Sequence, residues 1–271
     1  MKFGLFSIIL ALFSGYVFVA TPAVASAVKP IQSSIILNSF TGTYRLSRDS
    51  RGLSLLSSQE AIVADFPAGN TFYGITRELP KLYQNQSLNT KILSVTDAAG
   101  NSLPYKVTDG ANDYIVITVG DPAITLLGSQ TFKIAYQTSG VVNLSQKNNE
   151  FLLNVNGRGW NQPFGKVNAT LYIPNSFQAS LVGSPICYNV LNTAKQNNCE
   201  IDTKKTAEET VVSLSSQNLQ PQQALVLKMS FNSSTFTNKQ APLSKRLMIG
   251  VSLAVLLAAL ALRLLIRKKT K

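Results

Sequence analysis

Histidine is absent from this 271-residue chain, and carboxylates, two cysteines and a few arginines stand out as the candidate groups for chemistry. Its absence removes Ser-His-Asp and Cys-His nucleophilic catalysis and histidine-ligated zinc. Neither a G-x-S-x-G elbow nor a Walker-type phosphate loop occurs. Glu60 and Glu78 come nearest to a glycosidase pair, in which two acids flank the bond to be cleaved; that reading requires them to face one cleft. Asp109 and Asp113 lie beside a turn but lack the oxygen-rich loop that calcium needs, and turn formation accounts for them. No metal or cofactor is expected, and the reading is of a protein that is not an enzyme.

Arg77 directly precedes Glu78. A guanidinium fork grips carboxylates and phosphates, so Arg77 is either a recognition group or a structural pin paired with Glu60 or Glu78. Arg158 and the lone Trp160 form a second candidate group. The glycines at 157 and 159 allow close backbone approach, and the indole is then a core plug or an exposed binding aromatic, with the core expected. Cys187 and Cys199 do not have C-x-x-C spacing, which argues against a redox or metal pair. They are expected to form a disulfide closing a short local loop or hairpin, worth about 3 kcal/mol. The triplets at Asn85, Asn143, Asn168 and Asn232 match the glycosylation acceptor pattern and are read as chance.

Positioning these groups falls to β-strands. In Thr131 to Gln137 the residues Phe132, Ile134 and Tyr136 share one face, and the same period-two alternation runs through Val167 to Ile173 and Leu225 to Phe231. Further strands are expected over 35–46, 53–66, 91–96, 105–108, 114–119, 150–156, 179–187 and 210–214. Gly, Pro, Asn and Asp punctuate the reversals. No amphipathic helical stretch separates the strands, which excludes a doubly wound α/β fold. The expectation is all-β, an immunoglobulin-like antiparallel sandwich over 28–232, followed by a polar stalk over 233–246.

The two ends carry targeting signals. Met1 and Lys2, an apolar run to Ala20 and the series Ala23 to Ala27 have the layout of a signal peptide over 1–27, with cleavage after Ala27. Residues 247–266 are nearly unbroken Leu, Ala, Val and Ile, enough to cross a membrane once as a transmembrane helix. Arg263, Arg267, Lys268, Lys269 and Lys271 close that segment and mark the tail 267–271 as cytoplasmic. The net charge of +12 owes much to these residues and to Lys2, Lys245 and Arg246. Without them the exported part has an ordinary surface, and nucleic acid is not an expected partner.

Several segments together resemble the N-terminal domain of domain of unknown function 2207, the YciQ-like predicted bacterial membrane proteins. Tyr73-Gly74-Ile75-Thr76-Arg77-Glu78-Leu79-Pro80 is similar to the family's G-I-x-R-x-I-P run and is preceded by Glu60, where the family places a glutamate. Asn154-Val155-Asn156-Gly157-Arg158-Gly159-Trp160, with Pro163, Val167 and Pro174 beyond, resembles its W-N-V-x-G-x-x-W-x-x-P segment. Leu153 departs from the pattern by standing at the first tryptophan, and Asn149 stands near an acidic position. The resemblance implies a membrane-associated extracytoplasmic domain and no known activity. The resulting expectation is a single-pass envelope protein binding an unidentified envelope protein or glycan. An accessory or sensing subunit of a membrane complex is the alternative, and a carboxylate-based envelope hydrolase a more distant one.

Overall fold

The computed structural model describes residues 34–84 and 86–237. The chain divides into residues 1–32 and 33–271, and every described residue belongs to the second unit. The segments expected to be the signal peptide, the membrane span and the basic tail lie outside the described residues. Among the described residues no helix is long and apolar enough to cross a membrane.

Seven strands form the largest sheet: β1 (Ile36–Arg48), β2 (Ser54–Phe66), β6 (Asn89–Thr96), β9 (Gly128–Ser139), β12 (Phe164–Pro174), β15 (Glu200–Lys205) and β16 (Glu209–Leu219). Their order is β15-β16-β12-β1-β2-β9-β6. A five-stranded sheet orders β10 (Val142–Asn143), β11 (Asn148–Asn154), β17 (Ala224–Asn232), β13 (Ile186–Leu191) and β14 (Ala194–Gln196). A three-stranded sheet orders β3 (Gly74–Pro80), β8 (Tyr114–Gly120) and β7 (Tyr105–Asp109), and β4 (Leu82–Tyr83) pairs with β5 (Gln86–Ser87). Pairing is antiparallel except between β1 and β12, which run parallel with Gly42 opposite Ala169.

Alternation decides which side chains enter the core. In β2 Leu56, Ser58, Glu60, Ile62, Ala64 and Phe66 point inward. In β9 Phe132, Ile134, Tyr136 and Thr138 do the same. A register shift between Leu37 and Ser39 inserts one residue in β1, so Leu37 is buried in step with Phe40, Tyr44 and Leu46. One continuous apolar core receives Phe40 and Ile62 from the large sheet, Ile75 and Ile117 from the three-stranded sheet, and Phe151 and Leu227 from the five-stranded sheet.

The all-β, antiparallel expectation holds at this level. Immunoglobulin domains divide seven to nine strands between two sheets, whereas here seven strands share one sheet that contains a parallel pair. The strand expected over 179–187 is replaced at its start by a 3-10 helix, Asn175–Ser180, which buries Phe177, and the strand begins only at Ile186. The packed domain also continues into the segment read as stalk. Phe236 is buried against Phe177 and Phe231, and Arg48 Nη1 donates to the Thr235 carbonyl at 2.6 Å.

Cys187 and Cys199 are joined, with Cα atoms 6.2 Å apart. The expected bridge is present, but it does more than close a hairpin. Cys187 lies in β13 of the five-stranded sheet, while Cys199 leads directly into β15 at the edge of the large sheet. Asn189 reinforces the same junction by donating to Asn198 Oδ1 and Ser216 Oγ, both at 2.7 Å. Reduction, or replacement of both cysteines by serine, is expected to lower unfolding stability by about 3 kcal/mol. Urea denaturation with and without reductant measures it; an unchanged midpoint would show that the bridge constrains nothing.

Candidate functional site

Alternation along β2 turns Glu60 inward, and alternation along β3 turns Arg77 inward between Ile75 and Leu79. The two meet in the core, each with a relative exposure of 2%. The guanidinium grips the carboxylate with a fork. Nε donates to Glu60 Oε2 and Nη2 to Glu60 Oε1, both at 2.8 Å. Arg77 Nη1 donates to the Asn156 carbonyl at 2.8 Å and the Glu78 carbonyl at 3.1 Å, and Nη2 reaches the Val155 carbonyl at 3.3 Å. Every guanidinium N–H therefore has an acceptor. The Phe40 ring lies 5.5 Å from the guanidinium carbon and covers its face.

Two phenols complete the carboxylate's shell. Tyr44 and Tyr136 both stand opposite Ser58 in register, so each lies diagonal to Glu60. Tyr136 donates to Glu60 Oε1 at 2.6 Å. The Tyr44 hydroxyl lies 3.2 Å from the same oxygen and 3.3 Å from the Val155 carbonyl, and its single proton serves one of them at a time. Burial first, and the Glu60 charge second, push both phenols well above the ordinary tyrosine value. Burial works against the Arg77 cation, but the neighbouring carboxylate outweighs it and holds the guanidinium above its ordinary value.

The backbone around the pair is shaped to admit it. Gly42 lies opposite Glu60, and a Cβ there would come within 2.4 Å of the Tyr44 ring. Gly157, with φ of +73°, would place a Cβ 2.4 Å from Arg77 Nη1. Asn156 fixes the loop from within, donating to the Gln223 carbonyl and accepting from Leu225 N, both at 2.9 Å. Its carbonyl also accepts from Trp160 Nε1 at 2.7 Å. The indole is buried edge-on to Phe164, with centroids 5.3 Å apart.

Of the residues singled out in the sequence, Glu60, Arg77 and Trp160 are thus gathered into one buried cluster, Trp160 through Asn156. Glu78 is only half-buried and points away from Glu60, since it follows Arg77 along the strand. Arg158 is exposed. Asp109 pairs with Lys81 at 3.1 Å, while Asn112 and Asp113 take positive φ in the turn before β8. Cys187 and Cys199 lie in the separate junction described above. Tyr44 and Gly42 carry no signal of their own in the sequence, Asn156 stands there only as a member of the run ending at Trp160, and Tyr136 reads only as one of three side chains on a common face. What could find them is the alternation, which puts tyrosines and a glycine on the same face as a glutamate. Among the described residues no group of three or more Cys, Asp and Glu side chains is placed to hold a metal ion.

The family model for the N-terminal domain of predicted membrane proteins, DUF2207, matches residues 43–231. The chain belongs to this family. No curated protein matches it. Among solved structures, an M1 zinc metallopeptidase from Deinococcus radiodurans is similar at TM-score 0.43 and 11% identity, over 72% of this chain and 42% of that one. A leukotriene A4 hydrolase from Saccharomyces cerevisiae gives TM-score 0.45 and 8% identity, over 72% of this chain and 29% of that one. The chain spans less than half the length of either.

Glu60→Gln or Arg77→Met alone strands the partner's charge and is expected to cost on the order of 3–5 kcal/mol, while the double variant costs less than the sum of the two. Urea denaturation of the four proteins measures this, and simple additivity would refute the coupling. Both phenols keep their protons in the folded state above the pH at which an unfolded tyrosine ionises. Their stabilisation is therefore complete below about pH 10 and declines as pH rises through the folded-state values. Tyr136→Phe is expected to flatten that alkaline decline, which denaturation midpoints across the alkaline range would show.

Proposed function

We propose that this protein is a non-catalytic binding or scaffolding module of the cell envelope. Its β domain is displayed outside the membrane, held there by the apolar segment 247–266 after export directed by residues 1–27. The sealing of Glu60 carries the reading. The most elaborate chemical constellation among the described residues is committed to holding sheets together, with its acceptors and donors occupied by protein. Glu78 lines a cavity whose lining does not include Glu60, so the two carboxylates do not face one cleft as a glycosidase pair would. Membership of a family of predicted membrane proteins supports the membrane location. The Cys187–Cys199 bridge supports a thiol-poor compartment.

Partner contact falls most naturally to open strand edges. β7 and β15 each end a sheet, and every residue in them is exposed. Val107 and Ile201 add apolar area there. A protein segment adding itself as a further strand would satisfy the free backbone groups and take specificity from alternate side chains. Photocrosslinking residues at Val107 and Ile201 in the full-length protein, in its own membranes, are expected to give a discrete adduct with one envelope component. A crosslinker at buried Phe132 should give none. Absence of an adduct at both edges, together with a blank glycan array, would overturn the reading.

A further inference from the structure

A cavity of about 180 Å³ lies beside the Glu60–Arg77 clasp. Its walls are largely apolar, with Leu56, Leu79, Val141, Phe151 and Leu153 among the lining residues and Leu82 exposed at its edge. Three lining residues carry charge: Arg77, Glu78 and Arg158. Arg77 is fully engaged by Glu60 and by backbone carbonyls. Arg158 is exposed.

Glu78 differs from both. It is half-buried, and its side chain makes no hydrogen bond or ion pair with any other described residue. Its Oε2 lies 2.6 Å from where a Cβ on Gly159 would stand, so the carboxylate rests against the loop whose residues Gly157 and Arg158 line the cavity. A ligand cation would give this carboxylate the partner that it lacks among the described residues. An apolar cavity on the order of 150 Å³ accepts a benzene-sized molecule, so this one has room for one ring or a short aliphatic chain.

We propose that this cavity binds a small primary amine with an aliphatic or aromatic body of about six carbons, the body between the apolar walls and the ammonium on Glu78. The assignment rests on the reading of the domain as a binding module and names a ligand class for it. The amine is a free small molecule or the N-terminus of a peptide with an apolar first residue, since both present the same chemistry.

Calorimetric titration of the full-length protein in zwitterionic nanodiscs, with empty nanodiscs as the blank, compares hexylamine, hexanol and hexanoate. Hexylamine is expected to bind saturably and about tenfold more tightly than hexanol. Glu78→Gln should remove that preference and leave hexanol unchanged. Leu82→Trp, at an exposed position on the cavity's edge, should abolish binding of both without lowering the unfolding midpoint. A tripeptide amide beginning with leucine, titrated alongside, assigns the source by whether it or hexylamine binds tighter. Hexanoate binding as tightly as hexylamine would transfer the charge recognition to Arg158 and overturn the proposal, as would hexylamine binding that survives Leu82→Trp. Loss of amine binding with the edge crosslinks intact overturns the cavity assignment alone. Loss of the crosslinks with amine binding intact overturns the strand-edge reading alone.

Discussion

Removing one guanidinium and one carboxylate from water costs several kcal/mol per ion unless donors and lone pairs are matched on all sides. Here the matching groups come from stretches far apart in the chain. Glu60 belongs to the large sheet, Arg77 to the three-stranded sheet, and the carbonyls of Val155 and Asn156 to the loop that leaves the five-stranded sheet. The pair is satisfied only when all three sheets are in place. Apolar side chains tolerate small slips in packing, but five N–H vectors on a planar fork do not. The clasp therefore sets the mutual position of the sheets, and the apolar core fills the space that it defines.

That dependence explains residues with no chemistry of their own. Gly42 yields its side-chain volume to the Tyr44 ring, Gly157 yields to Arg77, and Asn156 spends its amide on Gln223 and Leu225 so that its carbonyl stays aimed at Arg77 and Trp160. Trp160 is a core plug whose polar atom is tied to the same carbonyl that receives the guanidinium. The motif around Gly157 and the motif around Arg77 are two halves of one structural device.

Much of this was legible in the sequence because a strand's period is short and unambiguous. Phe132, Ile134 and Tyr136 were placed on one face, and that face is buried. Glu60 falls within a strand by the same pattern, and of the two partners that the sequence offers Arg77, Glu60 and Glu78, the structure pairs it with Glu60. What escaped the reading depends on pairing. The stretch from Gly74 to Pro80 holds a charged pair and ends in proline, so its composition does not announce a strand; pairing with β8 makes it one. Residues 200–205 are wholly exposed and carry no apolar alternation, and pairing with β16 makes them a strand. The 3-10 turn at 175–180 is stabilised by burying Phe177 against Phe231 and Phe236, residues that only the fold brings near.

The parallel pairing of β1 with β12 has a consequence for how the chain acquires its shape. β1 sits near the middle of the large sheet, yet one of its two neighbours is supplied immediately by β2 and the other only after most of the domain has been made. A nascent chain can form the first hairpin early, but the centre of the sheet stays open along one edge until Phe164–Pro174 arrives. Such non-local closure is slow compared with local hairpin formation. Late closure keeps the chain pliable until those strands have been made and defers the finished barrier to unfolding to their arrival.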